Sequence, residues 1–188
     1  AFTNDLMVDI RQGSDDTING GASSSTLTFF GRSSSNDITA ADILTGGTGT
    51  NDSILVDNNG TGTVDLSGTN GVEVVNITET SNGTLTLVLG NTTNDNANNL
   101  LTINENSSFN SFFSEGGNPW DGETFNVNGA NYNGAILLNG QVGGGGATGN
   151  ITTSNTGNFN DTINAADGND NVSTNGGNDV VDGGNGND

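Results

Sequence analysis

The chain contains no cysteine, no histidine and no lysine, and its only basic side chains are Arg11 and Arg32. Each absence removes a class of function. Without cysteine, no disulfide framework can staple a small fold. Without histidine, the commonest transition-metal ligand and general base is missing. Both the H-E-x-x-H metalloprotease motif and the Ser-His-Asp arrangement are therefore impossible. Nucleic acid is held through basic contacts to phosphate, and two arginines argue against it as a partner. No run of about 18 apolar residues occurs, so no transmembrane segment is expected. Composition alone would still permit a carboxylate-pair glycosidase, but no spacing singles out a pair. The chain is read as a non-enzyme.

What remains is acidic and rich in turn residues. The 188 residues include 31 Gly and 34 Asn, with 22 Asp plus Glu against 2 basic residues, a net charge of −20. Low hydrophobicity with high net charge is ordinarily a signature of disorder. Two features oppose that reading: the apolar residues gather in short β-type runs, and the C-terminal part is periodic. A solenoid needs little core per residue, because each coil buries its face on its neighbours. So many carboxylates repel one another unless neutralised, which makes hard cations the natural partners.

Two zones are expected. Residues 1–140 form an irregular Thr/Asn-rich region with apolar runs at 27–30, 43–44, 54–56, 64–66, 72–77, 85–89, 100–103, 125–127 and 136–138. These runs are short, β-branched or Leu-rich, and bounded by Gly, Asn, Asp and Ser, as strands are. Helical periodicity is absent, apart from short stretches at 94–101 and 107–113 where a helix would fit. Residues 141–188 form a Gly-rich lead-in followed by a nine-residue repeat: TGNFNDTIN, AADGNDNVS, TNGGNDVVD, GGNGND. Asp161, Asp170, Asp179 and Asp188 fall nine apart, each after an asparagine, and Ile163, Val172 and Val181 follow the first three by two residues.

Many short strands suit a barrel, a sandwich or a solenoid, and a fixed period selects the solenoid. The expected fold is all-β, a parallel β-solenoid that ends in a regular β-roll and is continuous across the two zones. Two nonapeptides then make one turn of about eighteen residues. Asp161 and Asp179 stack on one side, Asp170 and Asp188 on the other, with Ile163, Val172 and Val181 inside. The missing initiator Met and the stop in mid-repeat suggest a segment or processed form of a longer polypeptide.

The repeat over residues 156–188 resembles the hemolysin-type (RTX) calcium-binding nonapeptide G-G-x-G-x-D-x-U-x, U being aliphatic. TNGGNDVVD has Gly177, Asp179 and Val181 in place, AADGNDNVS keeps Gly168, Asp170 and Val172, and TGNFNDTIN has Phe159 where the middle glycine belongs. The resemblance implies Ca²⁺ held between turns of adjacent coils by aspartate carboxylates and turn carbonyls. Such an ion takes about 6–8 hard oxygen ligands. Carried over residue by residue, the ligands are Asp170, Asp179 and Asp188, with carbonyls near Gly168, Gly177 and Gly186. Asp161 and Asp167 are further candidates. Half-matches at 13–19 and 46–54 add Asp16 and Asp52, for which the competing reading is an Asx turn between strands.

The stretch GVEVVNIT at 71–78 resembles a strand in the bodies of large bacterial surface-layer and adhesin proteins exported by the type I route. That likeness implies an extracellular structural role at the bacterial cell surface, with Glu73 a surface or turn residue. The function expected is a calcium-stabilised subunit or segment of a surface layer, filament or adhesin that self-associates once Ca²⁺ has folded it. One alternative is a glycan- or ice-binding module. For it the aromatic stretch Phe109, Phe112, Phe113, Trp120, Phe125 and Tyr132 is the feature to probe, against a local mini-core. Thr-x-Thr triplets are too unevenly spaced to form an ice-matching ladder. The other alternative is the accessory roll of a secreted enzyme.

Overall fold

The computed structural model describes residues 5–11, 15–79, 83–90, 99–105, 124–129, 131–132, 134–140, 150–154, 159–165, 169–174 and 176–188. They form fifteen strands: β1 (Leu6–Asp9), β2 (Thr17–Asn19), β3 (Leu27–Arg32), β4 (Ile43–Thr45), β5 (Ser53–Asn58), β6 (Gly62–Asp65), β7 (Thr69–Asn70), β8 (Val74–Glu79), β9 (Thr84–Val88), β10 (Leu101–Glu105), β11 (Thr124–Asn128), β12 (Ile136–Asn139), β13 (Asn150–Ser154), β14 (Thr162–Asn164) and β15 (Val180–Asp182). Every pairing is parallel. The chain is a parallel β-solenoid. Among the described residues there is no α-helix, and no helix long and apolar enough to cross a membrane.

Three sheets line the solenoid. The long sheet has the order β1-β3-β5-β8-β10-β12-β14-β15, a second β13-β11-β9-β6, and a third β2-β4-β7. Its long sheet runs unbroken from β1 to β15, so the repeat region stacks on the irregular coils through β12 and β14. The step between paired residues varies: Leu6 to Leu27 is 21, Thr28 to Ser53 is 25, Ser53 to Val74 is 21, Val74 to Thr102 is 28, Leu101 to Ile136 is 35 and Leu137 to Thr162 is 25. Only the last, Thr162 to Val180, is 18, the length two nonapeptides predict.

Alternation along each strand decides what faces inward. On the long sheet one interior column reads Val8, Phe29, Ile54, Val75, Ile103, Leu138, Ile163, Val181 from coil to coil. Phe29 through Ile163 are essentially fully buried in it. Val181, expected inside, is 47% exposed, because no described coil lies beyond β15 to cover it. From the second sheet Val64, Leu85, Leu87, Phe125 and Val127 meet this column, and from the third, Leu44. The core is thin but continuous.

The outer face of the long sheet carries a different column: Asn76, Asn104, Asn139, Asn164 and then Asp182. Asn104 Nδ2–H donates to Asn76 Oδ1 (3.1 Å), and Asn139 Nδ2–H donates to Asn104 Oδ1 (2.9 Å). Parallel in-register stacking brings identical amides within bonding reach, so one asparagine per coil becomes a ladder.

Of the aromatic stretch, Phe125 and Tyr132 are buried in the core, as a local mini-core would require. Phe109, Phe112, Phe113 and Trp120 lie outside the described residues, as does the stretch 107–113 where a short helix would fit.

Burial in so thin a core leaves little room for relaxation. Ile103→Ala is expected to destabilise the fold by about 2–5 kcal/mol. Val181→Ala, at a half-exposed rung, is expected to cost less than about 1 kcal/mol, well below the fully buried case. Equilibrium chemical denaturation of the two variants checks this, and equal losses would contradict a continuous column.

Candidate functional site

The acidic residues of interest occupy the position just before a strand. Extending the long-sheet register by one residue gives a single column: Leu27, Asp52, Glu73, Leu101, Ile136, Asp161, Asp179. Leu27 N–H donates to Asp52 Oδ1 (2.7 Å), Asp52 N–H to Glu73 Oε2 (2.9 Å), Ile136 N–H to Asp161 Oδ1 (2.9 Å) and Asp161 N–H to Asp179 Oδ1 (3.0 Å). In each case the carboxylate of one coil accepts the amide of the coil before it. Where the next coil has no acid, a backbone carbonyl takes over: Leu101 N–H donates to the Ala135 carbonyl (2.9 Å).

Asn and Asp work together at the repeat end. Asp161 N–H reaches forward to Asp179, while Asn178 N–H reaches back to Asn160 Oδ1 (2.8 Å). On the other side, Asp170 N–H donates to Asp188 Oδ1 (3.2 Å) and Asn187 N–H to Asn169 Oδ1 (3.0 Å). The Asn-Asp dipeptide is thus a reciprocal clamp between coils, and its 18-residue partner spacing is the length of one coil. Hydrogen bonds to charged acceptors contribute about 1.5–3 kcal/mol each when buried. Gly177 shapes this turn: its φ is 143°, and a Cβ there would fall 2.1 Å from the Phe159 carbonyl oxygen of the preceding coil. A side chain at 177 is therefore excluded twice, by conformation and by space.

Asp161 and Asp170 are buried, whereas at the final coil Asp179 is half-buried and Gly186 and Asp188 are exposed. Asp167 and Gly168 lie outside the described residues. Upstream, Asp52 is fully buried and stands in the same column as Asp161 and Asp179. Its two oxygens accept Leu27 N–H and Gly47 N–H (2.6 Å). Asp16, half-buried, donates its N–H to Asp42 Oδ1 (2.7 Å) in the third sheet's equivalent corner.

Glu73 is not a surface residue. It is 2% exposed, accepts Asp52 N–H through its side chain and donates its own N–H to the Asp52 carbonyl (3.0 Å). Burial follows from register, which places Glu73 in the column of Asp52, Asp161 and Asp179. Asp42 went unnoticed in the sequence, yet it is buried and also accepts Thr39 N–H through Oδ2 (2.6 Å). Both share a signal with the repeat aspartates, an acid two residues before an inward aliphatic. Asp16–Ile18, Asp42–Leu44, Asp52–Ile54, Glu73–Val75, Asp161–Ile163, Asp170–Val172 and Asp179–Val181 all fit it.

Electrostatics differ at the first coil. Arg11 grips Asp9 through Nε (2.8 Å) and Nη2, and lies over the Phe30 ring at 4.5 Å. The Arg11 side chain, and then its backbone N–H, hold the Asp9 carboxyl at about 2, below its ordinary 3.8. A depressed carboxylate contributes stability above its unfolded value and loses it as pH falls toward 2. This pair is solvent-exposed, so its contribution is small.

Among the described residues, no group of three or more acidic side chains converges as a metal cluster. Stacked Asp161–Asp179 and Asp170–Asp188 pairs bring two carboxylates to each side of the last coil. A calcium ion there would complete its shell from turn carbonyls and water, consistent with its preference for hard oxygens. The donor set fits a hard cation and offers nothing to a soft one. Comparison with protein-family models, curated proteins and solved structures finds no match. The class defined by fold and site is a parallel β-solenoid whose turns are clamped by stacked carboxylates.

Asp52→Asn keeps the shape of the side chain but gives one of its two accepting positions to an NH₂. Asp52→Asn is expected to destabilise the fold by about 1–3 kcal/mol, the cost of an unsatisfied buried donor. At exposed Asp15, the same change is expected to stay within about 0.5 kcal/mol. Urea unfolding of both variants reads the difference, and an Asp52→Asn variant as stable as wild type would refute the clamp.

Proposed function

We propose that this chain is a calcium-stabilised structural segment of an extracellular bacterial protein, of the surface-layer, filament or adhesin kind. The observation carrying the reading is the 18-residue pairing of the last coil. It stacks Asp161 against Asp179 and Asp170 against Asp188, within an RTX-like repeat and a chain of net charge −20. Like charges in register need a counter-charge, and the oxygen-only donor set suits Ca²⁺.

Calcium acts at the repeat end in this reading. At Asp52 both oxygens already accept backbone amides, and the upstream coils bury a continuous apolar column. The final coil has an exposed Val181 and short, largely exposed strands, so it gains most from a bound ion. Low Ca²⁺ inside the producing cell leaves that end loose for export, and extracellular Ca²⁺, bound at about 10⁻⁴–10⁻³ M, consolidates it. Consolidation then permits self-association.

Binding to the native state alone stabilises by mass action, about 2.7 kcal/mol at a hundredfold excess over Kd. The thermal midpoint and part of the β-type circular dichroism are expected to rise on titration into millimolar Ca²⁺. Equimolar Mg²⁺ is expected to have a much smaller effect, and Asp179→Asn combined with Asp188→Asn to abolish the response. Identical spectra and midpoints in calcium and in chelator would overturn the calcium reading.

A further inference from the structure

Threonines that are irregularly spaced along the sequence form a regular array across the coils. On the second sheet Thr63 stands opposite Thr86, and Thr86 opposite Asn126, although 23 and then 40 residues separate them. Extending the register by two residues toward the strand starts sets Thr61 opposite Thr84, whose N–H donates to Thr61 Oγ1 (3.2 Å). Asn126 Nδ2–H donates to Thr86 Oγ1 (3.4 Å). The backbone register continues with the same residue types: Thr84 is opposite Thr124, Thr124 opposite Asn150, and Asn126 opposite Thr152. Unequal coil lengths hide this order in the sequence, and parallel pairing restores it.

Alternation along the strands turns this array outward. Val64, Leu85, Leu87, Phe125 and Val127 are buried in the core, so Thr61, Thr63, Thr84, Thr86 and Asn126 point to the other side of the sheet. Thr61 and Thr63 are exposed, and Thr84, Thr86 and Asn126 are half-buried. Rungs repeat at about 4.8 Å between strands, and alternate residues of one strand at about 6.6 Å. A β-branched side chain is stiff at χ1, so each threonine holds its hydroxyl and methyl in place. None of the five side chains is charged or aromatic, in a chain of net charge −20. The first charge along β6 is Asp65, at its end.

We propose that this outer face of the second sheet binds the surface of ice. A charged partner finds no counter-charge on these five side chains. A sugar polymer finds no ring to stack on, since Phe125 points into the core. Ice is neutral, flat and periodic, and its oxygens repeat at distances close to both spacings of the array. A threonine hydroxyl both donates and accepts, so it can stand in for a lattice water. Rigid groups already at those positions lower the ordering cost of binding. This role goes beyond the calcium-stabilised one and does not rest on it, because the array stands on β6, β9 and β11 rather than on the RTX-like turns.

Slow directional freezing of the folded chain in millimolar Ca²⁺ tests this, with protein measured in the growing ice and in the remaining liquid. The chain is expected to be several-fold enriched in the ice over an acidic globular protein of similar size. Thr63→Lys, at an exposed position, is expected to reduce the enrichment, and Thr63→Lys with Thr86→Lys to bring it to the level of the reference protein. Ile43→Lys, at an exposed position on the third sheet, is expected to leave it unchanged. Circular dichroism identical to wild type establishes that each variant is folded, and Thr63→Lys alone decides the matter where the double variant is not. A chain no more enriched than the reference would overturn the proposal. So would a folded Thr63→Lys variant as enriched as wild type, or an equal loss in Ile43→Lys. Retention on insoluble cellulose or chitin without enrichment in ice would make the face a sugar surface and overturn the ice assignment. A flat calcium titration would leave an ice result standing, and absent ice enrichment would leave the calcium reading standing.

Discussion

At the turn into the long sheet the backbone amide has to be satisfied, and those of Leu27, Asp52, Leu101, Ile136 and Asp161 find an acceptor in the next coil, while that of Glu73 turns back to the Asp52 carbonyl. The amides of Leu27, Asp52, Ile136 and Asp161 all find a carboxylate there. A buried amide left unpaired costs about 1–3 kcal/mol, so each acid is first a structural acceptor. Where successive coils both carry an acid, as at Asp52–Glu73 and Asp161–Asp179, the requirement stacks carboxylates in a column. The chain's acidity and its architecture are in this sense one fact.

That column sets a second condition. Carboxylates in adjacent parallel coils repel, and the repulsion must be offset by donors or by cations. The upstream acids are engaged by amides: Asp52 by two, Asp42 by Asp16 N–H and Thr39 N–H, and Asp37 by Arg32 N–H and Nε. At the last coil Asp179 is half-buried and Asp188 is exposed. In the proposed reading a counter-ion acts there, while the upstream body is held by its apolar column and its amides.

Much of the fold was legible because its physics is local and repeated. Short β-branched runs bounded by turn residues correspond to β3, β4, β5, β6, β8, β9, β10, β11 and β12. The 18-residue stacking of Asp161 on Asp179 follows directly from period nine. Strands β1, β2, β7 and β13 were missed; they carry Met, Thr, Asn and Ser where a strand signal would have Val and Ile, and each is an edge strand whose state is decided by parallel pairing with one neighbour. Glu73 and Asp42 were misjudged or overlooked for one reason. In coils of 21, 25 and 28 residues no fixed period marks the equivalent positions. Register across coils, which only the fold supplies, makes Glu73 the counterpart of Asp52. The acid-x-aliphatic signal could have found both. The asparagine ladder of Asn76, Asn104 and Asn139 was likewise hidden by unequal coil lengths.

Amide hydrogen exchange tests the central claim most directly, since the claim concerns particular N–H groups. The amides of Leu27, Asp52, Ile136 and Asp161 precede their strands or stand at a strand's first residue, where fraying would normally let them exchange quickly. The carboxylate clamp predicts that they exchange as slowly as interior strand amides such as those of Ile54 and Ile103, and that Asp52→Asn selectively accelerates Leu27. Exchange at these four amides as fast as at exposed turn amides, in calcium and in chelator alike, would contradict it.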